Sequence, residues 1–394
     1  MRIGPIALLC ILLSSLSAHS QHASFDRIKV GLLRSYKPSS MQAIVRQGAY
    51  SIWADGRKLG ELKVGERITV IGTGGPALRL QVDGKEKGQF EKIDLRAFGD
   101  SSTFWLYLLK PSKKEGLYDD DLLISQLRGS VLKLVNHVAL EKYIAGVVEA
   151  ETGKEKGLEF YKVQAIISRT YALDKRGKYA RQGFNLSDEV DCQVYHGKAR
   201  WEPEILKAVL ETEGHVLVDS DMNLITAAFH SNSGGETLSS EAVWSGALPY
   251  LSPRRDDFSL KGEHANWQLS VHRDEWLGYL SKRWKLDTVD PLRQNSFLNW
   301  EQSSRERFLI DPSLGIPLKE VRKDWQLNST FFDLSLDGDS VHISGRGFGH
   351  GTGLSQEGAM RMAALGFDYK DILHFYYNDV HLIDLRALEF FREE

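Results

Sequence analysis

Hydrophobic and polar positions alternate through the first quarter of the chain. In residues 28–32 and 67–71 apolar side chains recur at about every second position, which is typical of strands with one buried face. Asp55-Gly56 and Asp83-Gly84 stand between alternating runs, and such pairs are the strongest short-range signal of a β-hairpin. The pattern predicts a β-rich N-terminal module over residues 25–109, whose role the sequence leaves open.

The pattern changes after residue 109. Residues 111–121 are polar and without periodicity, which favours a domain junction or a surface loop. Residues 130–135 read as a strand, and helical spacing of apolar residues predicts a helix over 158–174. A further helix is predicted to begin at Pro203 and to stop at Gly214, because proline favours a first turn and glycine follows helix ends.

Two strand–turn–strand patterns follow. The first joins residues 216–218 to 224–229, and the second spans 331–344 around Asp337-Gly338. A glycine-rich loop then precedes a helix at about 354–365. Strands and helices alternate without a regular βαβ rhythm, so we predict an α+β fold, with a mixed domain over residues 110–390.

The N-terminal residues resemble a secretory signal peptide. Arg2 precedes an apolar run at residues 6–16, which is too short to span a bilayer, and Ala18 and Ser20 fit a cleavage site before Gln21. We therefore predict a signal peptide over residues 1–20 and an exported protein, periplasmic or associated with the cell wall. The alternative is a membrane anchor that is not cleaved.

Composition excludes several classes of protein. A formal net charge of −3 with 26% charged residues gives no sign of a nucleic-acid-binding protein. Without the leader only Cys192 remains, so neither an internal disulfide nor a four-cysteine zinc site can form. No second apolar stretch is long enough to cross a membrane, and we predict no cofactor.

Glu151 is the first candidate for chemistry. It follows an apolar stretch just before the predicted helix at 158–174. A glutamate near a helix N-terminus is favoured by the helix dipole alone. The alternative is a general acid, because an apolar setting would raise the pKa of Glu151 and keep it protonated near neutral pH. Glu149 is a rival, since in an extended segment it would share a face with Glu151.

Two further segments carry small and polar residues. Residues 229–237 include Ser231, Ser233 and Gly234, but lack the Gly-x-Ser-x-Gly pattern of serine hydrolases. Residues 345–359 carry glycine at five alternate positions, without the lysine of a P-loop or the βαβ setting of a dinucleotide site. Arg346 and His350 would project from this loop. His350 has no partner at the spacing of a zinc motif, so we predict no metal.

Taken in order, these segments resemble the SpoIID/LytB domain family. Residues 143–151 and 164–173 are similar to the family's Tyr-Leu-x-Gly-Val-Val-x-x-Glu and Ala-Gln-Ala-x-x-Ala-Arg-Thr-Tyr-Ala-Leu elements. Residues 193–195 match its Gln-Val-Tyr element, and residues 231–235 match Ser-x-Ser-Gly-Gly. Residues 345–359 are similar almost position for position to Gly-Arg-Gly-x-Gly-His-Gly-x-Gly-x-Ser-Gln-x-Gly-Ala. The resemblance covers residues 109–385.

The resemblance implies a function. The family includes a sporulation protein that acts as a peptidoglycan lytic transglycosylase, in which the glutamate matching Glu151 is the acid. It implies cleavage of the MurNAc–GlcNAc β-1,4 bond with formation of 1,6-anhydro-MurNAc, on peptidoglycan glycan strands as substrate. It also implies substrate contacts for the matching motif residues Tyr195, Ser231, Ser233, Gly234, Arg346, His350 and Gln356.

Alternatives remain open at this stage. The family also includes an amidase enhancer, so the chain could be a non-catalytic partner of a cell-wall amidase, or a glycan-binding scaffold. The family's glutamate is commonly followed by Met-Pro, whereas Thr152-Gly153 follows here. The family's cysteine and histidine zinc motif before Gln-Val-Tyr is reduced to Cys192. These departures leave activity as the main question.

Overall fold

The computed structural model describes residues 26–244 and 246–390 of the 394-residue chain. The predicted signal peptide lies outside these residues. Within them, no helix combines the length and apolar character needed to cross a bilayer. The fold is α+β, as the sequence predicted.

Two antiparallel sheets dominate the first third of the described chain. The first sheet, in spatial order, contains β4 (Arg57–Leu62), β3 (Tyr50–Ala54), β8 (Lys92–Ala97), β11 (Asp121–Gln126), β12 (Leu132–Ala139), β1 (Arg27–Leu32) and the short parallel β13 (Leu186–Ser187). The second contains β7 (Lys85–Phe90), β6 (Leu78–Val82), β5 (Arg67–Gly72), β2 (Ser40–Gln47), β9 (Thr103–Lys110) and β10 (Ser112–Asp119). Their inner faces carry the apolar residues of the alternating pattern.

The Asp-Gly pairs form the predicted hairpin turns. Asp55-Gly56 joins β3 to β4, and Asp83-Gly84 joins β6 to β7. All four residues have positive φ, between 46° and 78°. A two-residue turn of this kind matches the twist of the paired strands, and glycine and aspartate tolerate it best.

The interpretation of residues 111–121 as a junction or loop is wrong. Most of this stretch is β10, which pairs with β9 from Ser112↔Leu109 to Asp119↔Thr103. β10 is an edge strand, and edge strands tolerate polar, charged sequence that hides the alternating pattern. The predicted boundary at 109 and 110 therefore falls at a hairpin turn, and the division into domains stays a prediction.

The second part of the chain places helices against the first sheet. Its elements are α1 (Leu140–Thr152), α2 (Leu158–Asp174), α3 (Pro203–Glu211), β14 (His215–Val218), β15 (Phe229–His230), α4 (Ser240–Val243), β16 (Asn266–His272), α5 (Arg273–Trp284), α6 (Pro291–Leu298), α7 (Leu318–Trp325), β17 (Phe331–Asp337), β18 (Ser340–Arg346), β19 (Leu354–Ser355), α8 (Gln356–Ala364), α9 (Tyr369–Tyr376), β20 (His381–Asp384) and α10 (Leu385–Phe390). Short 3₁₀ turns lie at Arg34–Tyr36, Ala180–Gln182, Asp257–Lys261 and Pro312–Leu314.

One hydrophobic core joins the two sheets to α1, α2, α8 and α9. α2 lies at its centre, and its bounds are those predicted from the helical spacing. A second core, around Trp276, Phe332 and Ile343, lies between the β16–β18–β17 sheet and α5–α7. The glycine-rich motif follows β18 and returns the chain from the second core to the first.

Two local predictions need correction. α3 begins at Pro203 as predicted but ends at Glu211, where Thr212 closes the last turn and Gly214 instead lies in the turn before β14. The predicted hairpin over 216–229 is confirmed only next to its turn, where Val218 bridges Leu224 and the N–H groups of Asp219 and Ile225 donate to the Asn223 and Leu217 carbonyls at 2.9 and 3.2 Å. Residues 225–228 do not continue as a strand, and β14 pairs along its length with the distant β20. Periodicity indicates a strand but not its partner. The hairpin around Asp337-Gly338 is confirmed as β17–β18.

Candidate functional site

Glu151 lies in the last turn of α1, with its side chain half-buried. Its Oε1 accepts the backbone N–H of Val194 at 2.9 Å. Desolvation raises the pKa of the Glu151 carboxyl, and the hydrogen bond from Val194 only partly offsets this. The direction of this shift is the one expected for Glu151 from its apolar neighbours in the sequence.

Glu151 precedes α2 as expected, but it also lies on a helix that the sequence did not predict, near the C-terminus of α1. Carbonyl groups at a helix C-terminus disfavour a negative charge, so this position also favours the protonated acid. Thr152 and Gly153 end α1. The Thr152 hydroxyl donates to the Val148 carbonyl at 2.8 Å, and Gly153 has a φ of 71°.

Glu149 does not share a face with Glu151. Both lie on α1, and side chains two positions apart on an α-helix point about 200° apart around its axis. The Glu149 carboxylate accepts the backbone N–H groups of Arg200 at 2.9 Å and Trp201 at 2.6 Å. Glu149 therefore anchors the loop before α3, which is the bond pattern of a structural carboxylate.

The other two segments come together as one unit. We call residues 231–235 the serine segment and residues 345–353 the glycine loop. β15 and β19 pair in parallel, and Asn232 bridges Phe348 with hydrogen bonds of 3.0 and 2.8 Å. The glycine loop fits closely, since a Cβ on Gly347 would lie 2.6 Å from the Asn232 carbonyl oxygen. Such contacts explain why the loop carries so many glycines.

Most of the serine segment is buried. The Ser233 side chain is fully buried, and its hydroxyl donates to Asp256 Oδ2 at 2.7 Å. Gly234 has a φ of 69°, and a Cβ there would lie 2.6 Å from the carbonyl carbon of Arg346. Ser231 is half-buried, and its carbonyl accepts the N–H of Glu357 at 2.9 Å. Of these three predicted site residues, only Ser231 reaches the surface.

Arg346 lies at the start of the glycine loop and is committed to neighbours. Its Nη2 donates to the Gln302 carbonyl at 2.9 Å and to Asp333 Oδ1 at 3.2 Å. The guanidinium stacks 3.7 Å from the centre of the Phe331 ring. About 31% of the side chain remains exposed, which leaves one edge for a ligand.

His350 lies beside His230 and Trp244, with ring centres 5.4 and 5.6 Å away. Its Nδ1 accepts the backbone N–H of Thr352 at 3.1 Å. Desolvation lowers the pKa of His350 to about 4, and the charges of Arg322 and Arg305 act in the same direction. The imidazole is therefore neutral at physiological pH.

Arg305 is a residue that sequence reasoning missed. It is buried, and its Nη2 donates to the Ser233 carbonyl at 2.7 Å. Burial lowers the pKa of Arg305 to about 9, and the Glu236 carboxylate opposes this shift. Its guanidinium contacts Gly351, where a Cβ would lie 1.8 Å from Nη1. Nothing in the sequence around Arg305 indicates that its side chain contacts the serine segment and the glycine loop.

Asp256 and Glu357 were also missed. Asp256 accepts hydrogen bonds from Ser233 and, at 3.1 Å, from the Tyr376 hydroxyl, and desolvation raises its pKa. Glu357 follows Gln356 in the motif and accepts from Asn232 Nδ2 at 2.6 Å. Its other oxygen lies 2.5 Å from His264 Nδ1. Glu357 sits inside a conspicuous motif, and that position was its only signal.

Gln356 links the glycine loop to α2. Its Nε2 donates to Gln164 Oε1 at 3.4 Å, and Gln164 in turn donates to the Ser168 hydroxyl at 3.4 Å. The Ser168 carbonyl accepts Nε2 of Gln193 at 3.3 Å, and Gln193 precedes the Val194 that binds Glu151. A chain of side-chain contacts thus runs from the motif at α8 to the acid at the end of α1.

Tyr195 lies beneath this arrangement. Its ring is 1% exposed, and its hydroxyl donates to Asn136 Oδ1 at 3.1 Å. A Cβ on Gly146 of α1 would lie 2.6 Å from the Tyr195 ring. This burial leaves no surface of the ring for a sugar to contact, so the role of Tyr195 is to pack against α1.

Across residues 26–244 and 246–390, no group of three or more histidine, cysteine, aspartate or glutamate side chains is arranged to hold a metal ion. Cys192 is a free thiol, half-buried next to the Gln193–Val194 loop. Fold and site together define an α+β protein in which a half-buried glutamate at a helix end is linked to a glycine-rich loop.

Comparisons with known proteins agree with the motifs. The family model described as Stage II sporulation protein (SpoIID) matches residues 128–218, which include α1, α2 and Tyr195. An amidase enhancer of Bacillus subtilis (strain 168) is 29% identical over 59% of this chain and 39% of its own length. Stage II sporulation protein D of the same organism is 28% identical over 64% of this chain and 77% of its own length. The chain is similar to proteins of the SpoIID/LytB family, and the predicted resemblance is confirmed.

The chain spans well under half the length of the amidase enhancer that it matches. Stage II sporulation protein D of Bacillus amyloliquefaciens is 28% identical over 63% of this chain and 75% of its own length. The relatives thus carry names of two kinds, one for a sporulation protein and one for a protein that enhances an amidase.

Proposed function

We propose that this protein acts on the bacterial cell wall as an exported peptidoglycan lytic transglycosylase, with Glu151 as its general acid and base. The observation that carries the proposal is the state of Glu151. Its side chain is half-buried at a helix C-terminus, and desolvation raises the pKa of its carboxyl. No cation is among the causes of this shift. A carboxyl in this state keeps a proton that it can donate.

The reaction needs one carboxyl group. Protonated Glu151 gives its proton to the glycosidic oxygen between MurNAc C1 and GlcNAc O4, the C1–O4 bond breaks, and the MurNAc ring gains oxocarbenium character. The Glu151 carboxylate then takes the proton of the MurNAc 6-hydroxyl as O6 bonds to C1. The acid is restored and a 1,6-anhydro end is formed. No water is consumed, so the second carboxylate of an ordinary glycosidase is unnecessary.

The predicted substrate contacts divide by exposure. Ser231, Arg346, His350 and Gln356 keep accessible surface and are proposed to contact the glycan strand. Ser233, Gly234 and Tyr195 are buried, and we assign them to support of the glycine loop and α1. A neutral His350 fits a hydrogen bond to a sugar hydroxyl better than recognition of a charge.

The test identifies the product. The protein is incubated with purified peptidoglycan, both intact and stripped of stem peptides, and the glycan ends are identified by mass spectrometry. We expect 1,6-anhydro-MurNAc ends from the wild type and none from Glu151→Gln. Reducing ends would indicate a hydrolase and contradict the single-acid mechanism.

A second function is favoured by one comparison. The amidase enhancer relative matches residues of this chain at 29% identity, so a non-catalytic partner of a cell-wall amidase is the alternative. In that case neither peptidoglycan sample is cleaved by the protein alone. A purified wall amidase would then release stem peptides faster in its presence, and Glu151→Gln would enhance the amidase as well as the wild type.

A further inference from the structure

The first sheet carries a groove where β1 ends and β12 begins. The residues that line this groove have no role in the proposed reaction. The groove encloses about 630 Å³ between the turn after β1, the loop before β12 and the 3₁₀ turn before β13. Five cationic residues line it: Arg34, Lys37, Arg128, Lys133 and Arg181. No carboxylate lines it, and Asp188 and Glu189 line a different cavity, beyond the Arg34–Tyr36 turn.

Among the five cations, only Arg34 acts on a carboxylate of the described residues, because its charge partly opposes the rise in the pKa of Asp188. None of them forms an ion pair with any other residue in the part of the chain that the structure describes. Arg34 Nη2 donates to the side chain of Gln182 and Lys133 Nζ donates to its carbonyl, both at 3.2 Å. Lys37, Arg128 and Arg181 are exposed. Unpaired like charges repel one another, so an anionic ligand would relieve a real electrostatic cost.

The floor of the groove is apolar. Leu32, Leu134 and Phe184 line it and are buried, and Val131 is half-buried beside them. At the rim, Leu127 is 54% exposed immediately before Arg128. A soluble polyol phosphate would use the cations but gain nothing from this apolar surface. A lipid would use both, because its phosphate meets the cations and its acyl chains meet the exposed Leu127 and the half-buried Val131.

We propose that this groove binds the phosphate headgroup of an anionic lipid, and so holds the protein against a membrane surface. The proposal is independent of the reaction at Glu151, because none of the residues that line the groove belongs to α1 or to the glycine loop. Attachment depends on charge, and it should weaken as ionic strength rises.

The test uses the full chain and vesicles of phosphatidylglycerol mixed with phosphatidylcholine, with binding followed by co-flotation. Arg128→Glu with Arg181→Glu should raise the lipid concentration at half-binding by at least about tenfold. The matched control is Lys85→Glu with Lys87→Glu, the same charge change on exposed lysines of the edge strand β7, and it should bind like the wild type. Equal losses in the two double variants, or no loss in the first, would overturn the proposal.

Two further arms separate lipid from free phosphate. Leu127→Ser leaves every charge in place and should weaken vesicle binding by about threefold, because it removes apolar contact. Soluble glycerol phosphate should compete only at concentrations far above those of the vesicle phosphate. If it binds as tightly as the vesicles do, and Leu127→Ser has no effect, the ligand is a free phosphate and the lipid proposal is wrong. Pure phosphatidylcholine vesicles should not bind.

Discussion

The two parts of the candidate site shift the pKa of an ionisable group toward the neutral form by the same means and with opposite consequences. At the end of α1, desolvation raises the pKa of a carboxylic acid, Glu151. At the glycine loop, desolvation lowers the pKa of an imidazole, His350, to about 4. The first shift favours a form that can give a proton away, and the second favours a form that can accept one. Burial, the largest cause of both shifts, thus separates a donor from an acceptor.

The surroundings of the two groups also differ. Glu151 accepts a hydrogen bond from Val194 and keeps part of its carboxyl accessible. The glycine loop is bound to the serine segment by backbone pairs, and the Ser233 carbonyl binds the serine segment to Arg305. An acid that must exchange protons with a substrate needs the first setting. A surface that must keep one shape needs the second.

The largest expected effect is on turnover. Glu151→Gln removes the transferable proton but keeps the shape and the bond from Val194, so we expect the release of anhydro ends to fall by roughly 10²–10⁴-fold. Glu149→Gln is the matched control two residues away and should stay within about threefold of wild type, because Glu149 serves the loop at Arg200. Both variants are compared by their rate of anhydro-end formation. A similar loss in both would show that Glu151 is not the acid and that the two carboxylates do not differ in role.

The next effect tests the glycine loop. Arg305→Met should lower the free energy of unfolding by about 3 kcal/mol, because it leaves the buried Ser233 carbonyl without its charged donor. Arg307→Met, an exposed arginine two residues later, should change it by less than about 0.5 kcal/mol. Urea unfolding measures both. If Arg305→Met is as stable as Arg307→Met, the guanidinium does not support the loop.

The sequence predicted what depends on local pattern. The helix over Leu158–Asp174, the Asp-Gly hairpins and the α+β class follow from periodicity and turn chemistry, which neighbouring residues decide. It could not predict the partner of β14, because strand pairing over more than 160 residues leaves no local trace. The same holds for the site. Motifs identified Glu151 and the glycine loop, but Arg305 and Asp256 join the site only through tertiary contacts.

The third effect follows from the lowered pKa of His350. The usual pKa of 6.5 applies to the unfolded chain and about 4 to the folded one, so the unfolded chain binds the extra proton first. Stability should therefore fall as pH drops from about 6.5 to about 4, with His350 contributing about 2 kcal/mol of the loss. His350→Gln should show a shallower fall, measured by urea unfolding at pH 7.5 and 4.5. His342→Gln, on the exposed side of β18, should fall as steeply as the wild type.

The smallest effect has the opposite sign and belongs to Glu151. Its folded pKa lies above the unfolded value of 4.5, so the folded chain binds the proton more tightly. The contribution of Glu151 to the stability of the protein is then lost as pH rises through the raised pKa. Glu151→Gln has no ionisable group at this position, so its stability does not fall in this way. We expect the variant to melt roughly 1–3 °C above the wild type at pH 7 and level with it at pH 4.

Glu149→Gln is the control for this sign, because it weakens two hydrogen bonds from backbone N–H groups and should lower the melting temperature at pH 7. If Glu151→Gln also melts lower at pH 7, then Glu151 is an ionised structural carboxylate like its neighbour. The general-acid assignment would then lose its physical basis. If Glu151→Gln melts at a higher temperature and has lost turnover, then Glu151 lowers the stability of the protein and is kept for its chemistry.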